Sequence, residues 1–283
     1  MKYPSKSRTK PVVCLTIAGF DPSGGAGVIA DVKTFSAFGC FAAGGVTSLT
    51  FQNTQGVFGA ANQTAETVRR QVEPVLKDFS VAAVKTGMLP TREIIEETAR
   101  LIGKEGLENI VVDPVVRSTS GFDLIDDKAL RSLIETLFPL SDLITPNLAE
   151  AERIAGMKIE KERDFEAAAR IMREFGARNI LIKGGHRPGP ERAEPGEKSK
   201  ARDFLFRGRE RLIFEAPFIE TGSTHGTGCV LASAIAANLA LGKDLAEAVE
   251  IAKKFVSQGI KNAPEIGLGH SPVGISFTIP RKD

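Results

Sequence analysis

Tryptophan is absent from this chain and tyrosine occurs once, as Tyr3. Proteins that hold single-stranded nucleic acid stack bases on such rings, so that class loses its usual platform. No run of eighteen apolar residues occurs, which removes a membrane-spanning helix. Cysteines are few. Cys14, Cys40 and Cys229 lie far apart with no C-x-x-C pair, so neither a disulfide framework nor a structural zinc site follows. Cys14 and Cys40 sit in apolar surroundings and read as small core residues. A basic surface is missing too. Four of the 37 basic residues (Lys2, Lys6, Arg8, Lys10) crowd into the first ten positions, and 33 then face 35 acidic residues over the rest. No nucleic-acid or membrane partner follows from that balance.

Two familiar nucleotide signatures are also lacking. No G-x-x-x-x-G-K-[ST] sequence occurs, which excludes the Walker P-loop. Gly25, Gly27 and Ala30 do give G-x-G-x-x-A after a strand, but no Asp or Glu stands between Asp31 and Glu66. The acid that would hold a ribose in a dinucleotide site is therefore missing.

What is present is an alternation of short apolar runs with amphipathic stretches. Strands are expected over 12–18, 46–51, 82–86, 110–112, 142–144 and 180–183. Helices are expected over 25–38, 65–79, 92–104, 127–137, 148–155 and 165–175. Such alternation builds a mostly parallel sheet with helices on both faces, an α/β fold. Residues 187–201 carry three prolines, two glycines and seven charges, the composition of a solvated connector. Beyond it, 204–206 and 212–214 around R-G-R-E-R suggest a hairpin, and helices over 228–241 and 245–262 close the fold. With no repeat and no linker, residues 11–283 form one domain behind a flexible basic tail, 1–10. The basic start and the apolar run after it imitate a signal peptide, yet the run stops at Asp21 in a glycine-rich turn. We therefore expect a cytoplasmic protein.

The stretch Thr221–Cys229, T-G-S-T-H-G-T-G-C, has Gly226, Thr227 and Gly228 opening directly into an alanine-rich helix. Unpaired N–H groups at the positive end of a helix dipole suit an anion. The same setting is expected to make the Cys229 thiol more acidic. A tight turn before a buried helix explains the stretch equally well. The D-P-S-G-G-A-G loop also has two readings. Asp21 follows a buried strand, where open α/β sheets bind ligands, and Gly24, Gly25 and Gly27 admit close approach of backbone. An Asp-Pro turn with Ser23 capping the helix is the plainer alternative.

T-I-A-G-F-D-P-S-G-G-A-G, Q-N-T-Q-G-V at Gln52, K-T-G-M-L at Lys85, D-P-V at Asp113, T-P-N-L-A-E-A at Thr145, K-G-G-H at Lys183 and T-H-G-T-G-C at Thr224 occur in that order. Together, over about 12–273, they resemble the hydroxymethylpyrimidine/phosphomethylpyrimidine kinases of thiamin biosynthesis, members of the ribokinase-like superfamily. The resemblance implies a three-layer α/β/α fold and transfer of two phosphoryl groups, one to hydroxymethylpyrimidine and one to its monophosphate, with ATP and Mg²⁺. It implies an anion hole at Gly226, Thr227, Gly228 and Cys229, with Cys229 where most relatives in the superfamily carry a basic aspartate. Gly19, Asp21, Gln52, Met88 and Val115 would line the pyrimidine pocket. Lys183, Asn147 and Thr227 would meet the nucleotide, and Glu150 and Asp113 would organise Mg²⁺, through water. A homodimer is also implied.

Residue chemistry leaves some of these roles open. Asn147 and Glu150 form N-x-x-E, which is equally a helix capping box. Gln52 can read the edge of an aminopyrimidine or bond backbone at a strand end. His225 can orient its loop, touch substrate or bond backbone. His186 and His270 have no assigned role, and Arg117 in R-S-T-S-G either covers phosphates or is exposed. A pyridoxal kinase of the same superfamily and a pyrimidine-binding sensor without catalysis are the rival readings.

Overall fold

The computed structural model describes residues 10–116, 124–184 and 200–275. Arg117, His186 and most of the charged 187–201 connector lie outside them, as does the tail before Lys10. Among the described residues, nine strands form one sheet in the order β3-β2-β1-β4-β5-β6-β7-β8-β9. They are β1 Val13–Phe20, β2 Phe41–Asn53, β3 Gly56–Asn62, β4 Val81–Thr86, β5 Ile110–Val112, β6 Leu143–Ile144, β7 Asn179–Lys183, β8 Lys200–Arg207 and β9 Glu210–Pro217. The run from β2 to β7 is parallel, whereas β3, β8 and β9 pair antiparallel at the edges.

The central strands are apolar throughout because both faces are covered. In β5, Ile110 and Val112 join a core with Val68, Ile94 and Ile154, whereas Val111 joins another with Phe35 and Ile235. The first core lies under α2 Ala65–Asp78, α3 Arg92–Glu105, α4 Asp127–Ser132, α5 Leu148–Ala155 and α6 Glu162–Glu174. The second lies under α1 Gly27–Ala37, α7 Thr227–Ala240 and α8 Leu245–Lys261. This is the expected three-layer α/β/α architecture.

Differences from expectation have local causes. Helix α4 passes into a π-helical turn, Leu133–Leu137, and then a 3₁₀ turn, Phe138–Leu140, containing Pro139. Strand β2 starts at Phe41, through Gly44 and Gly45. Those glycines are packing choices, since a Cβ on Gly45 would stand 2.6 Å from Val72 Cγ2. Strand β3 folds back on β2 and was not expected. At α1 the N-cap is Ala26, and Ser23 is not the capping residue.

Helix α7 is apolar on all sides, with Val230 through Asn238 all buried between sheet, α1 and α8. Ile235 is fully buried there. Ile235→Ala should cost roughly 3 kcal/mol through lost contacts and a residual cavity. Urea unfolding should show a lower midpoint at an unchanged slope.

Candidate active site

The carboxyl ends of β1, β4, β5, β6 and β7 and the start of α7 converge at one edge of the sheet. The first half of this edge is organised by Asp21, which follows β1 and is only 2 % exposed. Its Oδ1 accepts from the Ser23 N–H at 2.8 Å and the Ser23 hydroxyl at 2.7 Å. Its Oδ2 accepts from the Ala26 N–H at 2.8 Å and lies 2.8 Å from His225 Nε2. The Gln52 amide is directed at the same carboxylate. Burial alone would raise the Asp21 pKa. The hydrogen bonds from His225, Gln52 and Ser23 outweigh it and hold the carboxyl well below the usual range. As a carboxylate it only accepts, so the His225 ring donates from Nε2.

His225 thus ties the loop after β1 to the loop before α7, 204 residues away. Contact there is so close that glycine is obligatory. Gly226 has φ +79°, and a Cβ on it would stand 1.8 Å from the Gly25 carbonyl oxygen. A Cβ on Gly25 would meet His225 Cδ2 at 2.4 Å and Pro272 Cβ at 2.9 Å. Pro272 belongs to a strap across the loop. The His225 N–H donates to Ser271 O, and the Val273 N–H donates to His225 O. His270, which had no expected role, has Nδ1 3.1 Å from Gly222 O.

The other half of the edge carries charge. Asp113 follows β5 and is buried; its Oδ1 accepts from Lys183 Nζ at 2.8 Å and from Thr145 Oγ1 at 2.9 Å. Burial disfavours the Lys183 ammonium, yet Asp113 and Glu150 more than compensate and raise its pKa. Asn147 caps α5 in a full capping box: its Oδ1 accepts the Glu150 N–H at 2.9 Å, and Glu150 Oε2 accepts the Asn147 N–H at 2.7 Å. Glu150 is buried, and desolvation raises its pKa, with Asp113 adding and Lys183 opposing. Val115 is half-buried beside Asp113, its N–H donating to the Asp113 carbonyl at 2.8 Å.

The two halves meet at the first turn of α7. A Cβ on Gly228 would lie 3.1 Å from Lys183 Nζ and 3.6 Å from Asp113 Oδ2. The Thr227 N–H turns back to Thr224 O, and Val230 is the first residue to bond the capping Gly226 carbonyl. The Gly228 and Cys229 amides have no carbonyl of their own helix to meet, as in any first turn. Met88, after β4, packs on Gly19, with Sδ 3.0 Å from where a Cβ would be. The structure therefore gathers Gly19, Asp21, Gln52 and Met88 on one side and Asp113, Asn147, Glu150 and Lys183 on the other.

Cys229 departs from expectation. Burial pushes its thiol up to about 11, with Asp31 and Asp113 adding to the rise. The Lys85 ammonium and the Gly27 N–H act in the opposite sense without overcoming it. The helix terminus does not make this thiol acidic, because the surroundings that desolvate it weigh more. Lys85 and Asp31 had no expected role. They are fully buried and paired at 2.8 Å. Only the apolar setting of a lone lysine in V-K-T-G-M hinted at this.

The sequence model of the phosphomethylpyrimidine kinase family matches residues 21–274. The hydroxymethylpyrimidine/phosphomethylpyrimidine kinase of Bacillus subtilis is 42% identical over 258 residues, 91% of this chain and 92% of the relative. The solved phosphomethylpyrimidine kinase of Clostridium difficile is 38% identical, with a TM-score of 0.75, covering 88% of this chain and 99% of its own. The ADP complex of Bacillus subtilis pyridoxal kinase is 33% identical, with a TM-score of 0.83, covering 94% and 98%.

Asp21→Asn places an NH₂ against donors that now meet carboxylate oxygen, and should cost roughly 3 kcal/mol at pH 7. The folded carboxyl titrates below its ordinary value of 3.8, so its contribution is present above that value and is lost as pH falls through the folded pKa. The stability gap between wild type and variant should therefore shrink below about pH 4. A gap that stays constant through the acid limb of urea titrations would count against this assignment.

Proposed function

The chain belongs to the phosphomethylpyrimidine kinase family. From that membership we propose a Mg·ATP-dependent enzyme that phosphorylates hydroxymethylpyrimidine and then its monophosphate, yielding the pyrophosphate used in thiamin biosynthesis. The observation that carries this reading is the convergence at Gly228. An anion-seeking helix start there faces a lysine and a carboxylate, and the Asp21 loop abuts it from the other side.

Phosphoryl transfer passes through a loose, highly anionic transition state, so a protein contributes mainly position and charge. The amides of Gly228 and Cys229 hold oxygens of the transferring group, preorganised by the glycine contact with the Asp21 loop. Thr227 and Asn147 border the nucleotide phosphates, and Lys183 turns N–H donors to them. Asp113 and Glu150 offer hard oxygen donors for Mg²⁺. Among the described residues no group of three or more His, Cys, Asp or Glu forms a metal cage. That suits an ion that keeps waters and binds substrate phosphate as well. When bound, Mg²⁺ neutralises phosphate charge. On the acceptor side, Gln52 reads the pyrimidine edge while Met88 and Val115 supply apolar walls beside Gly19 and Asp21. Cys229, once ionised, takes the proton of the attacking hydroxyl late in the transfer, when that proton is most acidic, and ends as the neutral thiol.

Among the described residues no helix is long and apolar enough to cross a membrane. We place the enzyme in the cytoplasm, where the buried free thiols Cys14 and Cys40 persist. A homodimer is supported by exposed Leu49, Phe51 and Phe58 on the β2–β3 hairpin.

Purified protein should consume ATP with hydroxymethylpyrimidine, and product mass should show one and then two added phosphates. Cys229→Ala should lower kcat by about a hundredfold or more while the nucleotide Kd stays within about twofold. A clear preference in kcat/KM for pyridoxal would transfer the assignment to that kinase, the activity named for the neighbour with a TM-score of 0.83. Pyrimidine binding without ATP consumption would instead make it a sensor.

A further inference from the structure

Behind the first turn of α7 lies a charged group that the reading above does not use. Thr16 on β1 and Lys85 on β4 are register partners, fully buried on the sheet face under α1 and α7. Asp31 of α1 sits over both. Its Oδ2 accepts from Thr16 Oγ1 at 2.6 Å and from Lys85 Nζ at 2.8 Å, and its Oδ1 accepts from Ser233 Oγ at 2.6 Å. Ser233 lies four residues after Cys229, so the two share one face of α7 a turn apart. Gly87 leaves room for the ammonium, since a Cβ on it would stand 2.8 Å from Lys85 Nζ.

A buried ion pair is a poor way to gain stability, because desolvation offsets most of the attraction. This one spans β1, α1, β4 and α7, and through Ser233 it reaches the face of α7 that carries Cys229 one turn earlier. We propose that Lys85 is a positioning residue for Cys229, its ammonium held beneath the first turn of α7 by Asp31, which Ser233 anchors, so that the thiolate that will take the substrate's proton stands beside a cation already in place. The charged groups acting on the thiol are Lys85 from β4, Asp31 from α1, Asp113 after β5 and Lys183 from β7. Lys85 is the cation among them that never reaches solvent. It therefore stabilises the thiolate whether or not phosphate has arrived.

The proposal rests on the kinase reading for its purpose, but its test needs no substrate. Iodoacetamide alkylation of Cys229, followed by peptide mapping across pH, reads the thiol directly. In Lys85→Met the midpoint should rise by about one pH unit, and in Asp31→Asn it should fall, because each variant removes a charge of opposite sign. General loosening of the core would move both midpoints in the same direction. Opposite shifts support the assignment; an unshifted midpoint, or a common direction, overturns it. Should Asp31→Asn fail to fold by circular dichroism, the rise in Lys85→Met decides alone, because loosening would lower the midpoint; should Lys85→Met fail, Lys85→Gln takes its place. In turnover, Lys85→Met should lower kcat at neutral pH, recover partly at higher pH and leave the KM for ATP unchanged. If the protein phosphorylates no pyrimidine but the midpoints still separate, the kinase reading fails and this inference stands.

Discussion

One carboxylate organises the acceptor half of this molecule. Asp21 gathers donors from its own turn, from the start of α1 and from the histidine of a loop 204 residues downstream. Remove those bonds and the glycine loops after β1 and before α7 have no reason to lie backbone against backbone. The first-turn amides of α7, proposed as an anion hole, would work only if held still, and the contact with the Asp21 loop holds them. Asp21, expected at the substrate pocket, is also a structural hub for both loops.

The donor half is governed by a different economy. Asp113 and Glu150 are buried with Lys183 half-buried beside them, so each charge depends on the others. Such clusters cost folding free energy, and they persist where charge must be neutralised later. The capping box at Asn147 and Glu150 shows how one motif serves two levels. It fixes the first turn of α5, and in doing so it aims a carboxylate at the edge where Lys183 and Asp113 wait.

Much of the frame was legible because its residues obey periodic rules. Leu148–Ala155 and Ile110–Val112 fall where the apolar pattern put them, the first marked by N-x-x-E and the second by a short buried run. β3 escaped, since G-V-F-G-A-A-N has no alternation to read. The full length of β2 escaped because Gly44 and Gly45 look like breakers, although their small size answers to neighbours across the sheet. The site was legible as a set of motifs but not as a set of charges. The acidity expected of Cys229 followed from its helix position alone. Desolvation, which sequence does not display, reversed the sign. The Asp31–Lys85 pair was invisible for the same reason, joining residues 54 positions apart with nothing local to mark them.

The strap formed by residues 271–274 has a consequence for how the protein is made. Its backbone bonds His225 on one side and Gly259 on the other, and Pro272 closes over Gly25. During synthesis Gly25 of the first glycine loop is made 247 residues before Pro272 of the segment that seats it. Until Pro272 has been made, the contact of Gly25 with His225 lacks the residue that closes over it. The loop before α7 therefore takes backbone partners from a segment translated after α8.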